Sequence, residues 1–190
     1  MKISIDLDQV IFNLNPLYKK AFKIAGKKYK LPTDYDIYKC YGTEIADILM
    51  DLFQSDYLYQ MPLVYPTIPK VLNNLMLKPG IEIAFVTERV KKQPDKTFRQ
   101  LRDAGIHCSM SQVYDMQGFK PDILKNIAPD VHYDDSPNVV LGCIERQIPV
   151  VLISNAKTPY NHHLCEYVEN YRGLLTALMA ESLYQPRRLR

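Results

Sequence analysis

In the second half of the chain, short β-branched runs alternate with helical segments, and this alternation restricts the fold more than any other feature. "IEIAFV", "VHY" and "IPVVLIS" read as strands, and "IHCSMSQVYD" is a further strand-like stretch. Between them fall "KTFRQLRDAG", closed by Gly105, "PDILKNIA", opened by a proline, and "NVVLGCIERQ". Strands alternating with helices imply an α/β fold, a parallel sheet with helices on both faces. "KISI" at the N-terminus adds a strand, and "LCEYVENYRGLLTALMAESL" reads as one long or broken helix.

The first alternation is unusually long. Roughly seventy residues separate "ISI" from "IEIAFV", far beyond an ordinary crossover. Residues 13–26 carry Leu14, Leu17, Tyr18, Phe22 and Ala25 at helical spacing. "KKYKLPTDYDIYKCYG" reads as a loop. "TEIADILMDLFQSD" is an amphipathic helix with Thr43 as candidate N-cap, and "YPTIPKVLNNLML" is another helix begun by prolines. Residues 14–65 are therefore expected to form an inserted helical cap, with 1–13 and 66–190 as the core.

Composition narrows the function classes. The 190 residues are 47% apolar and 24% charged, enough to bury a core. A net charge of +3 is too small to argue for nucleic acid, and the basic "QPRRLR" end is read as a solvated tail. Asp6 and Asp8 interrupt what would otherwise be a leader's apolar segment, and no apolar run approaches a membrane span. Cys40, Cys108, Cys143 and Cys165 show no CxxC pairing and read as reduced thiols of a cytoplasmic protein. "HHLC", with His162, His163 and Cys165, lacks a second ligand pair and is read as structural rather than as a zinc site.

In an open parallel sheet, ligands bind beyond the carboxyl ends of the strands. Asp6 and Asp8 follow the first strand, Thr87 ends the second, and Asp134 and Asp135 follow "VHY". Lys120 sits just before Pro121 at a helix start. Each signal has a bland reading as a turn, a cap or a solvated lysine. Together they place carboxylates, a hydroxyl and an ammonium along one edge.

"DLDQV", "FVTER", "FKPD" and "HYDDSP" resemble the four ordered motifs of the haloacid dehalogenase-like phosphatases, over about residues 1–155. The inserted cap resembles that of the 5'(3')-deoxyribonucleotidases. The resemblance implies a Rossmann-like core and Mg²⁺-dependent hydrolysis of a phosphomonoester through an aspartyl-phosphate. It implies Asp6 as nucleophile, Asp8 as general acid and base, and Thr87 and Lys120 holding the phosphoryl group. The metal ligands would be Asp6, Asp134 and the backbone carbonyl of Asp8, with Asp135 touching a metal-bound water or capping the following helix. The substrate would be a small phosphomonoester, a nucleoside or deoxynucleoside monophosphate, and a homodimer is left open.

Three places break the nucleotidase pattern. Gln9 replaces a glycine, and Leu14 replaces an aromatic, with Phe12 nearby as a substrate contact. Glu88 and Arg89 replace a serine-led sequence and are counted among the substrate-binding residues, with Glu88 either pointing away or neutralised by Arg89. Lys91 matches a lysine that holds substrate in the family. Of the many tyrosines in the cap, most are expected to pack it and one or two to face the site. Two alternatives are a phosphatase of nucleic-acid ends or another metabolite, and a non-catalytic nucleotide-binding module.

Overall fold

The computed structural model describes residues 1–89, 92–115 and 118–184. Lys91 and the basic C-terminal tail fall outside these residues. The chain runs β1 (Lys2–Ile5), α1 (Asn15–Ile24), α2 (Ile37–Tyr41), α3 (Thr43–Gln54) and α4 (Ile68–Met76). It continues through β2 (Glu82–Thr87), α5 (Pro94–Asp103), β3 (Val113–Asp115), α6 (Lys120–Ile127) and β4 (Val131–Asp134). It closes with α7 (Pro137–Glu145), β5 (Val150–Ile153), β6 (Asn170–Tyr171) and α8 (Leu174–Tyr184).

The six strands form one parallel sheet in the order β3-β2-β1-β4-β5-β6. Successive side chains leave a strand on opposite faces, and the burial follows that period. Ile83 and Phe85 of β2 join the large apolar cluster with Leu17, Leu49, Leu72 and Leu101. Ala84 and Val86 join a second cluster with Leu124 of α6 and Val139 and Cys143 of α7. Both faces are thus covered by helices, which is why the strands read as continuous apolar runs.

Local chemistry accounts for several element ends. Prolines open α5, α6 and α7, where a missing N–H costs nothing. The Ser136 hydroxyl caps α7 by accepting from the Val139 N–H, as its position before Pro137 suggested. Thr43 is not the cap of α3. Gly42 takes that position at φ 76°, a backbone angle that suits glycine. The segment read as a loop contains α2, capped by the Asp36 side chain on the N–H groups of Tyr38 and Lys39.

The C-terminal stretch also departs from the expected helix. After a 3-10 turn (Pro159–Leu164) it holds the edge strand β6 and only then the helix α8. The carbonyls of Glu169 and Tyr171 accept from the N–H groups of Leu152 and Ser154 at 2.8 and 2.9 Å. Without β6, those donors of β5 would lack backbone partners, and that demand overrides the helical pattern. Among the described residues, no helix is long and apolar enough to cross a membrane.

Gly142 of α7 fixes the approach to α6. A Cβ there would meet the Phe119 ring at 2.6 Å and Pro121 at 2.8 Å, beside the start of α6 where Lys120 sits. Gly142→Ala is expected to lower stability by about 1–3 kcal/mol through overpacking, read as a lower urea midpoint at unchanged slope.

Candidate active site

Strand order reverses between β1 and β4, and a crevice opens at such a point beyond the strands' carboxyl ends. Asp6 follows β1 and Asp134 ends β4. The Asp6 N–H donates to the Tyr133 carbonyl at 2.9 Å, which locks the two ends in register. Lys120 reaches between them. Its Nζ donates to Asp6 Oδ1 at 2.6 Å and to Asp134 Oδ2 at 2.8 Å, and all three side chains are buried. Burial pulls the Lys120 pKa down, but Asp134 and Asp6 outweigh it and hold it well above the usual lysine range. The ammonium therefore stays charged.

The carboxylates differ in support. Burial alone would raise Asp134, yet Lys120 and His132 hold it down at about 2. His132 Nε2 lies 2.9 Å from Asp134 Oδ2, and its Nδ1 lies 2.9 Å from Ser4 Oγ. Burial lowers the His132 pKa, so a neutral ring donates from Nε2 to Asp134 and accepts the Ser4 hydroxyl at Nδ1. Ser136 N–H donates to Asp134 Oδ1 at 2.8 Å. Asp135 accepts the Tyr160 hydroxyl. Burial, then the charge of Asp134, pushes its pKa up to about 8. Burial likewise raises Asp6, against the pull of Lys120.

Asp6, Asp134 and Asp135 each offer an oxygen within 4.8 Å of the others. A bound cation would hold all three ionised, and with the Lys120 ammonium they would then carry a formal charge of −2. Hard divalent cations take such all-oxygen sets, and the donors suit Mg²⁺. The Asp8 side chain is not part of this cluster. Among the described residues, no His/Cys cluster of metal-binding geometry forms around His162, His163 and Cys165. His162 Nε2 instead lies 3.0 Å from the Asn155 carbonyl.

Asp8 is gripped from outside the motif. Arg89 donates from Nε to Asp8 Oδ2 at 3.1 Å and from Nη2 to Oδ1 at 2.8 Å, a two-pronged pair. Its Nη1 donates to Gln100 Oε1 at 2.8 Å, and its guanidinium stacks over Tyr59 at 5.1 Å. Arg89 therefore does not neutralise Glu88. Glu88 accepts from the Lys120 backbone N–H and caps α6, which explains a carboxylate beside the crevice. Burial raises its pKa. Arg89→Met removes the fork and strands Gln100 Oε1 in a buried setting. The expected loss is about 1–3 kcal/mol of stability, measured by urea unfolding.

Above the carboxylates lies a cavity of about 310 Å³. Asp6, Asp8, Thr87, Glu88, Arg89 and Lys120 line its floor, with Asp134 and Asp135. Leu14, Tyr18, Tyr35, Ile37, Phe53 and Leu58 form its apolar side. Of the tyrosines in residues 14–65, Tyr18 and Tyr35 reach it. Tyr18, Tyr41, Phe22, Tyr29 and Phe53 otherwise pack edge to face, as the bland reading of the cap held. Phe12, expected against substrate, is 1% exposed inside the core and does not line the cavity. Leu14 lines it instead.

Sequence reasoning missed His132, Tyr160 and the Arg89 fork. His132 had a signal, since it lies two residues before Asp134 on one strand and so shares its face. Tyr160 had none, being brought in by the turn after β5.

No protein-family model matches the chain, and no curated protein does. Solved structures do match. A haloacid dehalogenase-like family hydrolase from Streptococcus pneumoniae superposes with TM-score 0.66 at 16% identity, covering 95% of this chain and 97% of that one. The fold is that of the haloacid dehalogenase-like hydrolases. A second such hydrolase, from Deinococcus radiodurans with bound phosphate and sodium, gives 0.62 at 13% identity over 95% of both chains. A candidate hydrolase of this kind from Bacillus subtilis, bound to magnesium, gives 0.60 at 11% identity over 95% of this chain and 98% of its own. The haloacid dehalogenase-like fold thus extends over nearly the whole chain.

Proposed function

We propose that this protein is a Mg²⁺-dependent phosphomonoester hydrolase acting on nucleoside monophosphates, with residues 14–65 serving as the cap that selects the leaving group. The observation that carries the reading is Asp6 at the switch point of the sheet, with Lys120 and Asp134, beneath an apolar and aromatic cavity. A fold alone would not license it.

The chemistry follows from the residues. An Asp6 carboxylate oxygen attacks phosphorus as the ester oxygen leaves, giving an aspartyl-phosphate and an alcohol. Asp8, protonated from solvent once it is free of Arg89, gives that proton to the departing oxygen. It then takes one from the water that cleaves the acyl phosphate, releasing phosphate and restoring Asp6. To do so it must leave the Arg89 fork, because both its oxygens accept there. The Thr87 hydroxyl and the Lys120 ammonium offset the charge on the phosphoryl oxygens. Asp6, Asp134 and the Asp8 carbonyl would hold Mg²⁺, which when bound supplies positive charge to the phosphoryl group.

The cap side of the cavity favours a neutral leaving group. Among the described residues it presents Leu14, Tyr18, Pro32, Asp34, Tyr35, Ile37, Met50, Phe53 and Leu58, with no cation. A second phosphate or a carboxylate on the substrate would face Asp34 and Asp8. A nucleoside is uncharged, and its base offers a face for Tyr18 or Tyr35 to stack on. Phosphate release across nucleoside monophosphates, sugar bisphosphates and carboxylated phosphoesters, with Mg²⁺, tests this. Nucleoside monophosphates should be turned over best. Hydrolysis of none of them would sink the reading.

A further inference from the structure

Three non-glycine residues among those described have left-handed backbone angles: Gln9, Ala128 and Gln147. Ala128 is the C-cap of α6, and Gln147 lies two residues past α7, where helices commonly end this way. Gln9, at φ 64°, sits between the candidate acid Asp8 and the cap. Its loop is wound tightly, with the Gln9 N–H donating to the Phe12 carbonyl at 2.7 Å and the Ile11 N–H to the Leu7 carbonyl at 2.8 Å. Glycine would adopt this backbone without strain.

The side chain makes the choice of glutamine informative. Gln9 is 5% exposed and lines the cavity with Asp8 and Leu14. Its Oε1 accepts from the Leu14 N–H at 3.2 Å, which fixes the amide orientation. Its Nε2 is then a buried donor with no hydrogen-bond partner. A buried orphan donor is unfavourable, and so is a left-handed glutamine. Both sit at one residue beside the group that serves the leaving oxygen.

We infer that Gln9 is a substrate-recognition residue whose Nε2 donates to an oxygen of the leaving group close to the scissile ester. A pentose hydroxyl or ring oxygen supplies such an acceptor. The leaving group is thereby read by a hydrogen bond at its sugar end as well as by apolar contact at its far end. This deepens the phosphatase reading and rests on it.

Two variants test it. Gln9→Gly relieves the backbone strain, and Gln9→Glu keeps the acceptor for Leu14 while replacing the donor. kcat/KM is measured for thymidine 5'-monophosphate and for p-nitrophenyl phosphate, whose leaving group has no oxygen near the ester. For both variants the ratio of the two kcat/KM values should fall about tenfold, the worth of one buried hydrogen bond. A thermal midpoint for Gln9→Gly at or above that of the native protein would show that the loss is not one of folding. An unchanged ratio, with both substrates slowed alike, overturns the inference and leaves the phosphatase reading standing. Failure of the native protein to hydrolyse either substrate overturns both.

Discussion

Asp6→Asn should abolish turnover while leaving the fold intact. The amide has nearly the shape of the carboxylate, and its oxygen can still accept from Lys120 at the place where Oδ1 now lies 2.6 Å from Nζ. It cannot form the acyl phosphate. Where a reaction runs through a covalent intermediate, loss of the nucleophile costs on the order of 10³-fold or more in kcat. The variant also removes one negative charge from the buried cluster of Asp6, Asp134 and Asp135. It should therefore unfold at a temperature no lower than the native protein in the absence of Mg²⁺. Steady-state phosphate release and a thermal melt check the two halves separately. Activity within tenfold of native would remove Asp6 from the mechanism.

Lys120→Met should be damaging in both respects. The ammonium is the one cation bonded to both Asp6 and Asp134 among the described residues. Breaking a buried ion pair by deleting one partner costs about 3–5 kcal/mol, because the remaining charge is left unpaired. Loss of a preorganised donor at a charged transition state lowers kcat by about 10²–10³-fold. The sign of the pH effect follows from linkage. With the ammonium gone, burial lifts the folded-state pKa of Asp6 further above its unfolded value and carries that of Asp134 upward from about 2. The folded variant then binds more protons than the native fold does, and its stability falls as pH rises from the unfolded carboxylate range through the raised folded-state pKa values. The variant's deficit should shrink in acid. Mg²⁺ should raise its melting temperature more than it raises that of the native protein, since the ion then faces three uncompensated carboxylates. Equal Mg²⁺ responses would argue that the cluster does not hold the ion.

The sheet and the carboxylate edge were legible in the sequence because both depend on short-range pattern. Apolar runs marked β1, β2, β4 and β5, and the polar residues at the ends of β1, β2 and β4 marked the crevice. β6 was not legible. Asn170 and Tyr171 form a strand because β5 has donors to satisfy, and nothing in "VENY" itself announces it. Likewise Arg89 was visible as an odd residue after Thr87, but its fork on Asp8 depends on Thr97 and Gln100 of α5 closing behind it. Gln9 was visible only as an exception to a glycine habit. The left-handed angle and the orphan Nε2 give that exception a physical meaning.

The central claim is that phosphoryl transfer passes through the Asp6 carboxylate. It is tested most directly by quenching the enzyme during turnover of a nucleoside monophosphate, reducing the acyl phosphate with borohydride, and mapping the product by peptide mass spectrometry. The account predicts conversion of the aspartate at position 6 to homoserine, only when substrate and Mg²⁺ are both present. Turnover with position 6 unmodified, or with the label on Asp8 instead, would contradict it.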